Sequence, residues 1–242
     1  MRSKLFKITF KVGSKIIYSQ KYFKERDYLN PLLAESIKIL ARENNLKTIL
    51  DVGCGTGRLV HFLNENGFQA YGCDSAKAAL ISAKKLNRKQ TIKKTLASKL
   101  PYKNHSFDLV TAISVIEHLT EKEAQKIFSE VNRVLKSEGL IFLVTPNFSS
   151  PFRLLFGEKW FAFSDPTHRN FFTPKSIASL LKNHGFQNIR FRFKSAYNIP
   201  FAWYLPKLLN KLPKSLNIVL NYLLISSPLS TFRDSIWVVA QK

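Results

Sequence analysis

The stretch Thr48-Ile49-Leu50-Asp51-Val52-Gly53-Cys54-Gly55-Thr56-Gly57 decides the fold. Thr48 to Val52 is short, apolar and β-branched, the pattern of a buried strand. Glycines at alternate positions follow, and they let the backbone turn tightly and approach a ligand closely. From Gly57 to Glu65 the pattern turns helical, with Leu59, Val60, Phe62 and Leu63 apolar. The nicotinamide fingerprint G-x-G-x-x-G does not fit. Started at Gly53 or Gly55, its third glycine would fall on Arg58 or Val60. Asp51, inside the strand end, is placed to meet a cationic amine. A second strand, Gln69 to Cys73, leads to Asp74. An acid there can accept hydrogen bonds from both ribose hydroxyls of an adenosine-type cofactor. The bland alternative is a tight turn with no ligand, but strand, loop, helix, strand and acid in this order favour a binding site.

Outward from this core, strands and helices alternate. Ser75 to Leu86 reads as a helix capped by Ser75, Thr91 to Leu96 as a weak third strand, and Phe107 to Ile113 as a strong fourth. Thr120 with Glu123 forms a capping box for a helix running to Leu135. Gly139 to Thr145 is a fifth strand. Thr173-Pro174 opens a helix to about His184 that Gly185 ends. Phe186 to Phe193 is a sixth strand and Ser235 to Ala240 the last. The rhythm predicts an α/β fold with a mostly parallel sheet and helices on both faces. Upstream, residues 1–27 are basic and aromatic with a small hairpin expected, and Tyr28 to Asn44 is helical. The chain divides into an N-terminal arm and helix (1–44), a Rossmann-like core (45–145), an aromatic cap loop with helix and strand six (146–194), an apolar basic insertion (195–231) and a final strand (232–242).

The 242 residues carry 38 Lys+Arg against 16 Asp+Glu, a formal charge of +22. A 45% apolar and 13% aromatic composition supplies a sizeable core and excludes a disordered basic tail. Two cysteines, Cys54 and Cys73, cannot form a disulfide framework, so a reducing, cytoplasmic setting is expected. No long apolar run follows the basic Met1–Lys4, so no secretory leader is expected. The charge itself is compatible with nucleic acid, an anionic membrane, an acidic substrate or a lysine-rich source.

These residues resemble the class I S-adenosylmethionine-dependent methyltransferases over about 45–193. Further matches are Leu100-Pro101-Tyr102 before Ser106-Phe107-Asp108-Leu109-Val110, Val115-Ile116-Glu117-His118-Leu119, and Leu135-Lys136-Ser137-Glu138-Gly139-Leu140. The resemblance implies a seven-stranded Rossmann-like sheet with an antiparallel last strand and S-adenosyl-L-methionine as cofactor. It places Asp51, Gly53, Gly55 and Gly57, with Cys54 and Thr56 between them, near the methionine moiety. Asp74 and Ser75 fall at the ribose, and Ala97, Ser98 and Ile113 complete the expected binding set. Many relatives carry an acid for the adenine amine where this chain has Leu96, so adenine recognition is expected from backbone and apolar contacts.

The segment after strand four separates subclasses. Amino methyltransferases of adenine resemble D/N-P-P-aromatic there, and this chain has Ser114-Val115-Ile116-Glu117-His118 instead. Neither cysteine follows a proline as a cytosine-C5 nucleophile would. The Glu117-His118 region resembles the small-molecule branch, including quinone-precursor O-methyltransferases, with weaker support from Thr145-Pro146-Asn147 and Thr167-His168-Arg169 through Phe172-Thr173-Pro174. Some relatives place a metal near the Glu-His pair. Ser114, three residues before Glu117, is a poor ligand, so no metal is expected. An oxygen acceptor benefits from a general base working near neutral pH. His118 and His168 are the candidates, with Glu117 beside them. A cap or ordering hydrogen bond is the competing role for each histidine.

Ligands of parallel α/β sheets bind at the carboxyl ends of the strands. Residues 146–173 and 195–231 should both emerge there and cap the acceptor pocket. The first is expected to line it with Phe152, Phe156, Trp160, Phe161, Phe163, Phe171 and Phe172 among Arg153, Lys159 and Arg169. The second offers Trp203, Tyr204 and Lys207, and an uncharged run from Ser215 to Phe232 that Asn217, Asn221 and Pro228 interrupt. The expected acceptor is small or lipid-linked, with peripheral membrane contact through 199–229. An RNA-directed enzyme is the alternative, on Lys84-Lys85, Arg88-Lys89 and Lys93-Lys94. These fall on the far edge of the expected sheet, so nucleic acid is disfavoured as a partner.

Overall fold

The computed structural model describes residues 19–25, 27–88, 91–191 and 235–242. The expected N-terminal hairpin, the 195–231 insertion and the 199–229 membrane contact lie outside them. Seven strands, β1 (Thr48–Val52), β2 (Gln69–Asp74), β3 (Ile92–Lys94), β4 (Phe107–Ile113), β5 (Leu135–Pro146), β6 (Gln187–Phe191) and β7 (Ser235–Gln241), make one sheet in the order β3-β2-β1-β4-β5-β7-β6. β1 runs parallel to β2 and β4, as does β4 to β5. β7 is antiparallel to both β5 and β6. The winding direction reverses between β1 and β4, which opens a crevice at their carboxyl ends.

Helices α1 (Gln20–Glu25), α2 (Pro31–Glu43), α3 (Arg58–Glu65), α4 (Lys77–Leu86), α5 (Glu121–Val134), α6 (Pro151–Phe156), α7 (Phe161–Ser164) and α8 (Pro174–Asn183) complete the described chain. Two cores result. On one face Ile37, Leu40, Val60, Leu63, Leu80 and Ala83 of α2, α3 and α4 bury against Ile49, Leu109 and Phe142. On the other, Ile127, Phe128, Val131, Ile177 and Leu181 of α5 and α8 bury against Leu50, Val110 and Ile141. Near-continuous apolar strands are what a sheet covered on both faces requires. The expected capping box on α5 is present, with Thr120 and Glu123 bonding each other's backbone.

Some boundaries differ from the sequence expectation. α4 begins at Lys77 with Ala76 as its N-cap and no side-chain cap. The chain enters the helix one residue later than expected, with Asp74 Oδ1 accepting from the N-cap Ala76 N–H at 2.8 Å. β5 begins at Leu135, where α5 ends, and not at Gly139. A shift of register between Phe107 and Leu109, with Glu138 in the left-handed region (φ 62°), lets the chain pair before and after the irregularity.

Candidate active site

The glycine loop joins β1 to α3. Gly53 has φ 73° and Gly57 φ 77°, which an L side chain rarely adopts. Space excludes a side chain too. A Cβ on Gly53 would lie 2.4 Å from Val115 Cγ2, and one on Gly57 2.6 Å from Asn87 Nδ2. The loop is tied to β2, since Gly53 and Cys54 donate to the Cys73 carbonyl and the Gly55 N–H donates to Asp74 Oδ2 at 2.9 Å. One carboxylate thus fixes both the loop and the start of α4.

Asp51 is buried and accepts from Thr111 Oγ1 at 2.7 Å. Burial pushes its pKa up to about 7, against the Thr111 bond that lowers it and with the nearby Asp74 raising it further. A buried carboxyl of this kind is ionised most readily when a cation joins it.

A cavity of about 530 Å³ opens at the carboxyl ends of β1, β2 and β4. Gly53, Gly55, Asp74, Ser75, Ala97 and Ser98 of the expected cofactor set line it. Asp51, Cys54, Thr56, Gly57 and Ile113 stand behind that wall. Cys54 packs into the α2–α3–α4 core. Thr56 turns its hydroxyl to Asp27 Oδ1 (2.7 Å), and Asp27 also takes a two-pronged bond from Arg58. Thr95 and Leu96 join Ala97 and Ser98 on one side, and Leu96 is 60% exposed there. Tyr22 and Phe23 of α1 cover another side.

Ser114, Val115, His118, Thr167 and Arg169 also line the cavity, with Val115 against Gly53. Ser114 leaves β4 with φ 52° and swings the chain into a 3-10 turn, Ile116–His118. The Glu117 carbonyl of that turn accepts from the Arg169 and Asn170 N–H groups, at 2.7 and 3.1 Å, and so fastens it to the loop after β5. The Glu117 side chain is 1% exposed. Its Oε2 accepts from Thr145 Oγ1 at 3.0 Å, whereas Oε1 is buried with no well-formed partner. Burial raises this carboxyl to about 7, against its own N–H and the hydroxyls of Thr145 and Ser114.

The two candidate histidines are brought together, with ring centroids 4.7 Å apart. His168 Nδ1 lies 2.6 Å from the Ala162 carbonyl and therefore donates to it, which leaves its lone pair on Nε2. His118 Nδ1 lies 2.6 Å from Thr167 Oγ1. Only His118 of the pair lines the cavity; His168 and Glu117 stand behind it. One donor atom from each of Glu117, His118 and His168 falls within 4.8 Å of the others. Ser114, the poor ligand expected beside Glu117, is not among these donors. The third donor comes instead from a distant loop.

The aromatic cap departs from expectation. Trp160, expected on the pocket wall, is fully buried in a cluster with Phe148, Phe156, Phe163 and Phe171. Arg153 lies over the Phe148 ring at 4.2 Å and donates to that residue's carbonyl. Phe172 packs on the main core. The rings bury one another because a loop this far from the sheet needs its own apolar centre. Among the described residues of this loop, Pro166, Thr167 and Arg169 reach the cavity. Sequence reasoning missed Asp165, whose Oδ1 accepts from Thr167 N–H and Thr167 Oγ1. The signal was present, since Asp165-Pro166-Thr167 has the form of an Asx turn.

The reversed β1/β4 winding, the glycine loop and the Asp74 carboxylate meet at one cavity. A family model described as a methyltransferase domain matches residues 22–190, and the chain belongs to that family. It is 35% identical over 109 residues to a ubiquinone biosynthesis O-methyltransferase of Idiomarina loihiensis, covering 42% of this chain and 43% of that protein. It is 30% identical over 136 residues to the cyclopropane-fatty-acyl-phospholipid synthase of Escherichia coli, covering 53% and 34%. The chain thus spans less than half the length of these curated relatives. A crystal structure of an S-adenosylmethionine-dependent methyltransferase from Archaeoglobus fulgidus superposes with a TM-score of 0.60 at 20% identity, covering 86% of this chain and 94% of that one. Among the described residues, no helix is long and apolar enough to cross a membrane.

Proposed function

We propose that the chain transfers the cofactor's methyl group to an oxygen of a small or lipid-linked acceptor, with His118 as the base. The observation that carries this reading is that one cavity is lined both by Asp74 and the glycine loop and by His118, Thr167 and Arg169. The cofactor's ribose would bond Asp74, its adenine would lie on Leu96, Ala97 and Ser98, and its ammonium would approach Asp51. As the acceptor oxygen attacks the methyl carbon, the carbon–sulfur bond breaks and the acceptor's proton passes to His118 Nε2. S-adenosylhomocysteine, a methyl ether and an imidazolium result. The names of the two curated relatives support a quinone-like or lipid acceptor, and residues 199–229 would supply contact with the membrane that carries it.

The test is methyl transfer from labelled S-adenosylmethionine into lipid and small-molecule extracts. His118→Gln is expected to lower transfer by roughly 10²–10⁴-fold while S-adenosylhomocysteine still binds. If S-adenosylhomocysteine fails to bind near micromolar concentrations and Asp74→Ala changes nothing, the enzyme reading fails.

A second reading is favoured by the unpartnered Glu117 Oε1, because buried unsatisfied oxygens call for an ion or water. Glu117, His118 and His168 would then hold a divalent transition metal that acidifies the acceptor oxygen. One equivalent of tightly held cobalt(II), lost in His168→Ala, would decide for it.

A further inference from the structure

Thr167 Oγ1 stands between two partners, 2.6 Å from His118 Nδ1 and 2.6 Å from Asp165 Oδ1. A hydroxyl has one proton to give. Burial acts to raise the Asp165 carboxyl, but the Thr167 hydroxyl and N–H, with the two histidines nearby, hold it below the usual range. Asp165 is therefore an acceptor only, and the Thr167 proton goes to it. The remaining bond then runs the other way, from the His118 N–H to Thr167. Two further contacts fix the acid: the Thr167 N–H donates to Oδ1 at 2.9 Å and the Tyr22 hydroxyl to Oδ2 at 3.4 Å.

We infer that Asp165 and Thr167 are positioning residues that hold His118 with its proton on Nδ1 and its lone pair on Nε2. The ring of a neutral histidine can protonate at either nitrogen. The hydroxyl of the neighbouring loop makes this choice, and the carboxylate behind the hydroxyl orients that group. When His118 takes the acceptor's proton, the imidazolium faces a hydrogen-bonded path to a fixed negative charge. The inference rests on the reading of His118 as the working side chain, and the same tautomer would serve a metal at Nε2. The loop after β5 thus acts on the reaction through His118.

The experiment is a long-range 1H–15N correlation spectrum of the imidazoles at pH 8 in the full chain, with His118→Gln locating the His118 signals. Wild type is expected to show up to roughly a tenfold excess of the Nδ1–H form, the ratio one neutral hydrogen bond supports. Thr167→Val should lose that excess, Thr167→Ser should restore it, and Asp165→Asn should reduce it. A wild-type Nε2–H form, or identical spectra for wild type and a folded Thr167→Val, overturns the inference. If Thr167→Val does not fold, the wild-type spectrum with Thr167→Ser and Asp165→Asn still decides. S-adenosylhomocysteine binding by wild type is measured in parallel. Its absence would sink the methyltransferase reading while leaving the tautomer result standing.

Discussion

Asp51 and Glu117 are two acids in closely similar settings. Asp51 lies in β1, and Glu117 follows β4. Each is buried, and each takes a bond from a threonine of the adjacent strand, Thr111 in β4 and Thr145 in β5. Burial raises both to about 7. They differ in what lies nearest. Asp51 has Asp74 as its charged neighbour, and under the proposed function its partner is a cation brought by a ligand. Glu117 has two imidazoles within 4.8 Å, so its partner can come from the protein itself or from an ion those rings share. Under the proposed function one device, a carboxyl raised by burial, would serve ligand capture at β1 and proton or ion handling at β4.

The comparison breaks most sharply on ligand binding. Asp51→Asn is expected to weaken S-adenosylhomocysteine by about 10²–10³-fold, the cost of removing one partner of a buried charge pair. Glu117→Gln should leave that affinity within about 2-fold, as its side chain stands behind His118. Calorimetry on both variants checks this. Equal losses would mean the two acids do not divide the work.

Stability comes next, and its sign follows from the raised pKa. Between the ordinary glutamate value and about 7, the folded protein keeps a proton on Glu117 that the unfolded chain has released. Stability from this group therefore falls as pH rises through that window and levels off above it. The displacement corresponds to about 3 kcal/mol at most. Glu117→Gln keeps a polar group of the same shape and removes the titration. Denaturant melts at pH 5 and pH 8 should show a smaller pH-dependent loss in the variant than in wild type. An unchanged slope would place the titrating group elsewhere.

The third effect separates a ligand-linked proton from a folding-linked one. A cofactor ammonium needs Asp51 ionised, so S-adenosylhomocysteine affinity should drop about tenfold per pH unit below about pH 7. It should be flat above that point, and Asp51→Asn should remove the slope. Calorimetry across pH 5.5–8 checks it.

Asp51 and Glu117 also mark what was legible in the sequence. The glycine loop, Asp51 and Asp74 are close together in the chain or end adjacent strands, so local pattern carries them. The capping box of α5 is equally local. Glu117 and His118 were legible as a pair. Their partners Thr145, Thr167 and His168 come from the strand and loop that fold back from a distant segment, and spacing says nothing about such contacts. The aromatics of 146–173 misled for a physical reason. An apolar ring reads the same whether it faces a ligand or another ring, and here Trp160 faces Phe148 and Phe163. Lys93 shows the same ambiguity among charges. It appears in the sequence as part of a basic run, yet it lies over Tyr102 at 4.4 Å and donates to the Pro101 carbonyl.

The smallest expected effect asks whether surface charge, and not burial, sets the Asp51 midpoint. The basic residues of α4 and β3 lie on the Asp51 side of the sheet, since β3 is the edge strand beyond β2 and β1. Glu117 is further from that edge. If the +22 charge tuned these acids over distance, neutralising Lys84 and Lys85 would raise the Asp51 midpoint and spare Glu117. Both lysines are exposed on the last turn of α4, where salt screens them beyond about 8 Å at 0.15 M. Lys84→Ala with Lys85→Ala should therefore move the pH midpoint of S-adenosylhomocysteine binding by less than about 0.3 units, and change stability by no more than about 0.5 kcal/mol. A shift of a full unit would make the basic edge part of the cofactor site, and the likeness between Asp51 and Glu117 would then be one of value without a common cause.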